Sequence, residues 1–415
     1  MRTINMSMDS DLIPAAEACR LLGISPATLY AYVSRGLLES RPGRAHRSRV
    51  YRRQEVERLA QRKRLGRGAA RGAAQSLDRG LPVMETRISL IRPDGPYYRG
   101  RSAVALARAG ATLEDPARLL WDCGSQDPFA DPPGDWPARL APLANAAELP
   151  PLSRAMAVTP LRALRVPPSF QADQAPRRAL AATRLRQNAG LLVARRPAGP
   201  VHRLLAGTWR PGDEAFAELV RAALVLCADH ELNVSAFAAR VVASTGAHLH
   251  ATVCAGLSAL AGPRHGGATA RVCALLEDAR QSRDVRRLVA VRWQQGEDLP
   301  GFGHALYPAG DPRAAELLAM LRAMPADPAT MELVEAVVAA AAEVSGRRPN
   351  VDFTLAALCL AHGLTATHAL SLFAAGRVAG WLAHALEQQT LGRLIRPRAR
   401  YTGLPPDGDA DAPHD

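Results

Sequence analysis

Aromatic residues are few: Phe, Trp and Tyr together make up 5% of the 415 residues. Runs rich in Val, Ile, Thr and Tyr are also scarce, which excludes a sheet-dominated fold. Alanine and leucine dominate, and they favour a mainly helical one. Cysteine is sparse and scattered. Cys19, Cys123, Cys227, Cys254, Cys273 and Cys359 include no Cys-x-x-Cys pair. Neither a redox pair nor a metal centre is expected, and buried free thiols of a reducing compartment account for most of them. The N-terminus lacks an apolar core of signal-peptide length. Later apolar stretches are interrupted by charge or histidine before they reach membrane-spanning length. The expected setting is cytoplasmic, with no membrane contact.

What is present points to a soluble protein of two or three domains, since 415 residues exceed one small core and 22% are charged. The formal net charge is +13, nearly all of the positive part being arginine. Residues 1–75 carry +9 of it. That concentration suggests a polyanion partner, double-stranded DNA in particular. A general arginine bias of the whole chain is the competing explanation.

Residues 1–65 read as one unit. Pro14 opens a helix over 15–22, which Gly23 stops. Ser25 suits an N-cap, with Pro26 in the first turn of a second helix over about 27–35, ended by Gly36. An arginine-laden segment, 41–53, follows, and Gln54 begins another helix through about Lys63. Residues 66–80, rich in Gly and Ala, read as a linker. The remainder, 81–415, begins with two short strand-like runs joined by a turn at Asp94-Gly95, and helical patterns dominate from Ser102. Residues 128–152 and 166–178, with their prolines, read as surface loops. Helices are predicted over much of 213–260, with a break near 229–233, and at about 269–280, 313–323, 328–345, 355–363 and 366–388.

The chemistry concentrates in three strings: Gly-Pro-Arg-His-Gly-Gly ending at Gly267, Gly-Phe-Gly-His at 301–304, and Asn-Val-Asp-Phe at 350–353. Glycines around His265 and His304 let the backbone turn sharply and approach a ligand closely. A histidine near a helix N-terminus is held neutral and offers an N–H to a developing oxyanion. Either histidine alone is better explained by a structural or surface role; the glycine-flanked pair together with Asp352 reverses that. Asp352 lies between Val351 and Phe353, where apolar neighbours raise the basicity of a carboxylate. A carboxylate base beside a neutral imidazole can take a proton from carbon next to a carbonyl. The competing reading of Asp352 is a helix cap. Arg313, Arg377 and Arg396 sit in apolar or Pro/Gly contexts and need anions, from a dicarboxylate substrate or from internal acids.

Two resemblances follow from longer matches. Ala-Ala-Glu-Ala-Cys-Arg-Leu-Leu-Gly-Ile-Ser-Pro-Ala-Thr-Leu-Tyr at 15–30 and Arg-Val-Tyr-Arg-Arg-Gln-Glu-Val-Glu-Arg-Leu at 49–59 resemble the helix-turn-helix of MerR-type and excisionase-type DNA-binding domains. The resemblance implies a recognition helix bearing Ser25, Thr28, Tyr30, Tyr32 and Arg35 in the major groove. It also implies a wing whose Arg44, Arg47, Arg49 and Arg52 meet phosphates. From Met84 to Ala399 the chain resembles the citrate synthase family, most strongly from His230 onward. The motifs are Ala-Asp-His-Glu-Leu-Asn at 228–233, Phe-Ala-Ala-Arg-Val-Val-Ala-Ser-Thr at 237–245, the three strings above, Asp-Pro-Arg at 311–313 and Ala-Gly-Trp-Leu-Ala-His-Ala-Leu-Glu-Gln at 379–388.

That resemblance implies an all-helical fold of a large domain and a small one (about 228–325), preceded here by a small winged helix-turn-helix domain. It implies a homodimer that condenses acetyl-CoA with oxaloacetate, acetyl-CoA being a substrate, with no further cofactor. Asp352, His265 and His304 would be catalytic. His230, Arg313 and Arg377 would grip oxaloacetate, with Arg396 reaching in from the second subunit. The sequence departs from the family at Ala268-Thr269, at Ala305 to Pro308 and at Thr354 to Ala356. These departures and the basic head favour a metabolite-sensing transcriptional regulator as the alternative. A 2-methylcitrate synthase using propionyl-CoA is a third reading.

Overall fold

The computed structural model describes residues 12–22, 24, 29, 32–33, 38, 40–42, 49–53, 55–57, 84–134, 136–162 and 173–397. The chain divides into two compact units, Met1–Glu85 and Thr86–Asp415.

In the first unit, strand β1 (Leu12–Pro14) runs straight into helix α1 (Ala15–Leu22), and β2 (Ser40–Pro42) and β3 (Arg49–Arg52) complete an antiparallel sheet of order β1-β3-β2. Helix α1 spans the predicted residues and begins directly after Pro14. Pro14 ends an edge strand opposite Val50, a position where a missing N–H is tolerated. Ile13, Ala18, Leu22, Tyr51 and Val56 are buried together, so this small unit has a core of its own. The strand, helix and two-stranded wing agree with a winged helix-turn-helix. Of the predicted second helix, only Leu29, Tyr32 and Val33 are among the described residues, and all three are helical.

The second unit opens with the antiparallel sheet β4 (Ser89–Arg92), β5 (Gly95–Tyr98) and β6 (Arg101–Ser102). Helices follow: α2 (Ala103–Arg108), α3 (Glu114–Leu120), α4 (Ala141–Ala144), α5 (Pro151–Leu161), α6 (Gln174–Val193), α7 (Val201–Trp209), α8 (Glu214–Cys227) and α9 (Val234–Ser244). Then come α10 (Leu249–Leu260), α11 (Gly267–Gln281), α12 (Val285–Gln294), α13 (Pro312–Ala323), α14 (Pro328–Ser345), α15 (Val351–Ala361) and α16 (Ala366–Leu391). Side-chain caps fix many of the starts. Asp213, Asn233, Asp284, Asp311, Asp327 and Asn350 each accept a first-turn N–H, worth about 1 kcal/mol apiece.

Helix α16 is the central post, packed against α8, α9, α10 and α15. Its 26 residues are long and apolar enough to cross a membrane, contrary to the sequence reading, yet 94% of its most apolar window is buried inside the protein. Three further expectations are corrected. Phe129, Trp136 and Leu140 are buried, so 128–152 is not simply a surface loop. Residues 174–178 belong to α6. Helix α12 was not expected, because of its ten residues only Val289 is buried and its arginines break any broad apolar stripe.

Candidate active site

Two loops with no sequence overlap are stitched together to form one wall. The Gly303 N–H donates to Arg348 O (2.8 Å), and the Asn350 N–H donates to Gly301 O (2.8 Å). Asn350 Nδ2 donates to Gly303 O at 3.0 Å. The same Asn350 caps α15, its Oδ1 accepting from the Asp352 N–H at 3.1 Å and the Phe353 N–H at 3.4 Å. Asp352 is therefore not the cap. It stands in the first turn with its carboxylate free of that duty. Gly301 makes the junction possible: its φ is +84°, and a Cβ there would lie 2.7 Å from Val272 Cγ2 and 2.8 Å from Phe353 Cβ. Gly301→Ala is expected to cost about 2–4 kcal/mol, from backbone strain and overlap together. The check is a lower denaturant midpoint at unchanged slope.

His265 sits on the turn before α11. A Cβ on the next residue, Gly266, would lie 2.2 Å from Leu260 O, so only glycine lets the turn close on α10. His265 Nε2 is 2.8 Å from Ser235 Oγ. The same hydroxyl accepts from Trp381 Nε1 (3.1 Å) and donates to Asn233 Oδ1 at 2.8 Å. Burial, with Arg377 as a lesser cause, pushes the His265 pKa down to about 4, so the ring is neutral at pH 7. With the Ser235 proton given to Asn233, Nε2 is the ring donor to Ser235; turning that hydroxyl to Nε2 would place the ring proton on Nδ1.

His304 Nδ1 accepts the Leu306 N–H at 3.1 Å, so a neutral His304 carries its proton on Nε2. Burial first, then Arg313, lowers its pKa. His230 meets the His304 ring at 5.2 Å edge to face, and its Nε2 is 3.0 Å from the Tyr307 hydroxyl. Burial, Arg313 and Arg377 hold His230 well below the ordinary imidazole value, while burial raises Tyr307 to about 12. Asp352 is pushed up by burial to about 6, against the pull of Arg313.

The two arginines differ. Arg313 is held bidentately by Asp311, at 3.0 Å from Nε to Oδ1 and 2.8 Å from Nη2 to Oδ2, and Asp311 also accepts the Val351 N–H at 3.1 Å. Its charge is largely neutralised. Arg377 is 1% exposed, donates from Nε to Cys227 O at 2.8 Å, and lies over the Phe373 ring. Among the described residues no carboxylate is paired with it. Burial lowers its pKa, against the opposing pull of Asp229. His230, His265, His304, Arg313, Asp352 and Arg377 line one cavity of about 180 Å³. Arg396 is exposed, beyond the end of α16 and outside this cavity.

The family described as "Citrate synthase, C-terminal domain" matches residues 159–398, more than half of the chain. The chain belongs to the citrate synthase family. A family described as "Helix-turn-helix domain" matches residues 15–64. A "Putative citrate synthase 2" of Mycobacterium tuberculosis is 40% identical over 200 residues, 47% of this chain and 53% of that protein. A "Citrate synthase" of Haloferax volcanii is 42% identical over 195 residues, covering 46% and 52%. A "2-methylcitrate synthase" of Shewanella oneidensis is 36% identical over 186 residues, covering 44% and 50%. The chain thus spans about half the length of the curated relatives it matches. In fold, the citrate synthase of Thermotoga maritima aligns over 78% of this chain and 94% of its own, with a TM-score of 0.65 at 24% identity. A Thermoplasma acidophilum citrate synthase, in ternary complex with carboxymethyl coenzyme A and oxaloacetate, covers 78% and 95%, with a TM-score of 0.64 at 22% identity.

Within this family member, sequence reasoning missed Ser235, Asp311 and Tyr307 as supports of the site. Asp311 was visible in Asp-Pro-Arg, but its grip on Arg313 was not. Of the predicted DNA contacts, Arg49 and Arg52 are exposed at the two ends of β3. Tyr32 packs partly buried against its unit's core, which turns it away from a purely groove-facing role. Ser25, Thr28, Tyr30, Arg35, Arg44 and Arg47 lie outside the described residues.

Proposed function

We propose that this protein is a citrate synthase-type acyltransferase that condenses acetyl-CoA with oxaloacetate. The observation that carries the reading is one cavity uniting a carboxylate of raised pKa, two neutral histidines and an under-compensated buried arginine. Asp352 removes a methyl proton of the thioester, and its pKa near 6 makes it a stronger base than a surface aspartate yet still ionised at pH 7. His265 donates to the thioester oxygen, so charge developing on the enolate is met by a hydrogen bond from a neutral donor. The nucleophilic carbon attacks the oxaloacetate ketone, whose oxygen His304 Nε2–H polarises. Hydrolysis of the resulting thioester releases citrate and CoA. Arg377, His230 and the remaining donors of Arg313 hold the carboxylates, and Arg396 of a second copy completes the grip.

The cavity is smaller than the roughly 300–1,000 Å³ of sites that bury a drug-sized ligand. It suits the four-carbon acid and the acyl end, with the nucleotide part of CoA lying outside. The test is release of free thiol from acetyl-CoA in the presence of oxaloacetate by the full chain. Propionyl-CoA in parallel decides between this and the 2-methylcitrate alternative. Absence of oxaloacetate-dependent release with any short acyl-CoA leaves the sensing role instead.

The match at 15–64 and the +9 charge of residues 1–75 favour a second property, duplex DNA binding by the head, with proposed limits 1–65 for the head and 66–80 for the linker. Affinity is expected to fall about tenfold or more between 50 and 200 mM salt, as phosphate contacts release counter-ions. Deleting residues 1–65 is expected to abolish it in a fluorescence-anisotropy titration. Equal binding by the truncated chain rejects this assignment.

A further inference from the structure

A second cavity, sharing no residue with the one that holds Asp352, is enclosed by α5, α6 and α10. Its polar lining is strongly one-sided. Arg162 and Arg184 contribute guanidinium groups, Asn188 and His250 contribute neutral donors, and no acid lines it. Arg162 lies over the Trp136 ring at 4.9 Å, and Arg184 Nη1 donates to Gln187 Oε1 at 2.6 Å. Neither guanidinium is paired with a carboxylate among the described residues. The ten residues after Arg162 include no acid and one more arginine.

The orphaned atoms point the same way. Arg162 Nη1, Arg184 Nε, both polar atoms of the Asn188 side chain and both ring nitrogens of His250 are sealed from solvent without a hydrogen-bond partner among the described residues. Asn188 is 2% and His250 1% exposed. Native interiors leave few such atoms, so a group of them around one hollow marks a missing occupant. Burial pushes Arg162 down to about 10, and burial together with Arg162 pushes Arg184 down to about 9. A neutral water could fill hydrogen bonds but would leave two cations uncompensated in a low-dielectric interior.

We infer that this cavity is a binding site for one small inorganic anion of the size of chloride, held by Arg162, Arg184, Asn188 and His250 where three helices meet. The space is small, about 10 Å³, which favours one small ion over phosphate or an organic acid. Four donors are available to it: one N–H from each guanidinium, Asn188 Nδ2 and one ring N–H of a neutral His250. Because the anion would bind only the folded arrangement, it would stabilise α5, α6 and α10 against opening by mass action.

The test uses the full chain. Gluconate, too large for the cavity, is replaced by chloride at constant ionic strength while the melting temperature is followed. A rise of about 2 °C per tenfold of chloride above the onset of binding is expected. Arg184→Met is expected to flatten that response. Because this variant could also fail to fold, the unmodified protein decides: crystals soaked in bromide should show an anomalous peak between Arg162 and Arg184. Bromide beside Arg377 would be a separate event, distinguished by position. Equal melting in both salts overturns the inference, as does a water alone in the cavity, a carboxylate from a second copy filling it, or bromide bound at crystal concentration only.

Discussion

Asp352→Asn is expected to lower oxaloacetate-dependent thiol release about 10²–10⁴-fold while raising the melting temperature at pH 8. The two effects share one cause. Burial lifts the Asp352 carboxyl from its ordinary 3.8 to about 6, so the native state holds this proton more tightly than the unfolded chain does. An acid with a raised native pKa supports the fold below its unfolded value, and that support is lost as pH rises through about 6. Above pH 6 the ionised carboxylate is a cost on the order of 3 kcal/mol, which asparagine removes. The wild-type rate should run the other way. It climbs about tenfold per pH unit below 6 and levels above, because the base must be ionised. His265, already neutral above pH 4, adds no second limb in this window. An asparagine variant that keeps a tenth of the activity, or a rate that is flat from pH 5 to 8, would remove Asp352 from the base role.

The sequence carried this site unevenly, for physical reasons. Helices 15–22 and 328–345 were readable because their boundary signals are local: Gly23 after the first, and Asp327 with Pro328 and Gly346 around the second. The sequence pattern starts α15 at 355, one turn late. Pro349 to Asp352 has little helix-forming composition, and the cap that starts the helix, Asn350, is held by a loop almost fifty residues away. Strand β1 is hidden for a similar reason, since it exists only through pairing with β3. Among the site residues, glycine-flanked His265 and His304 stood out because close backbone approach leaves a trace in sequence. Ser235 and Tyr307 did not, because a hydroxyl set against an imidazole 30 or 77 positions away leaves none. The buried Phe129, Trp136 and Leu140 were hidden by the Pro- and Asp-rich composition around them.

Arg377→Met should have the second large effect, and in opposite senses on binding and on folding. The arginine side chain is buried in α16 with a carbonyl and an aromatic face, and among the described residues no carboxylate is in ion-pair contact with it. A cation left this way in a protein interior is a liability until an anion arrives. Under the proposed function, oxaloacetate supplies that anion. Its addition should therefore raise the melting temperature of the wild-type protein, by mass action on the folded state. Methionine fills much the same volume without the charge. The variant should melt higher than wild-type when empty, show no rise with oxaloacetate, and lose about a hundredfold to a thousandfold in kcat/KM for it. Arg377→Lys should not rescue binding, because a point charge cannot reproduce a two-pronged grip on a carboxylate. The sign of the change in the empty protein is the discriminating measurement. If the methionine variant melts lower, Arg377 is a structural cation whose partner is already present, and the cavity has no unmet demand for a dicarboxylate.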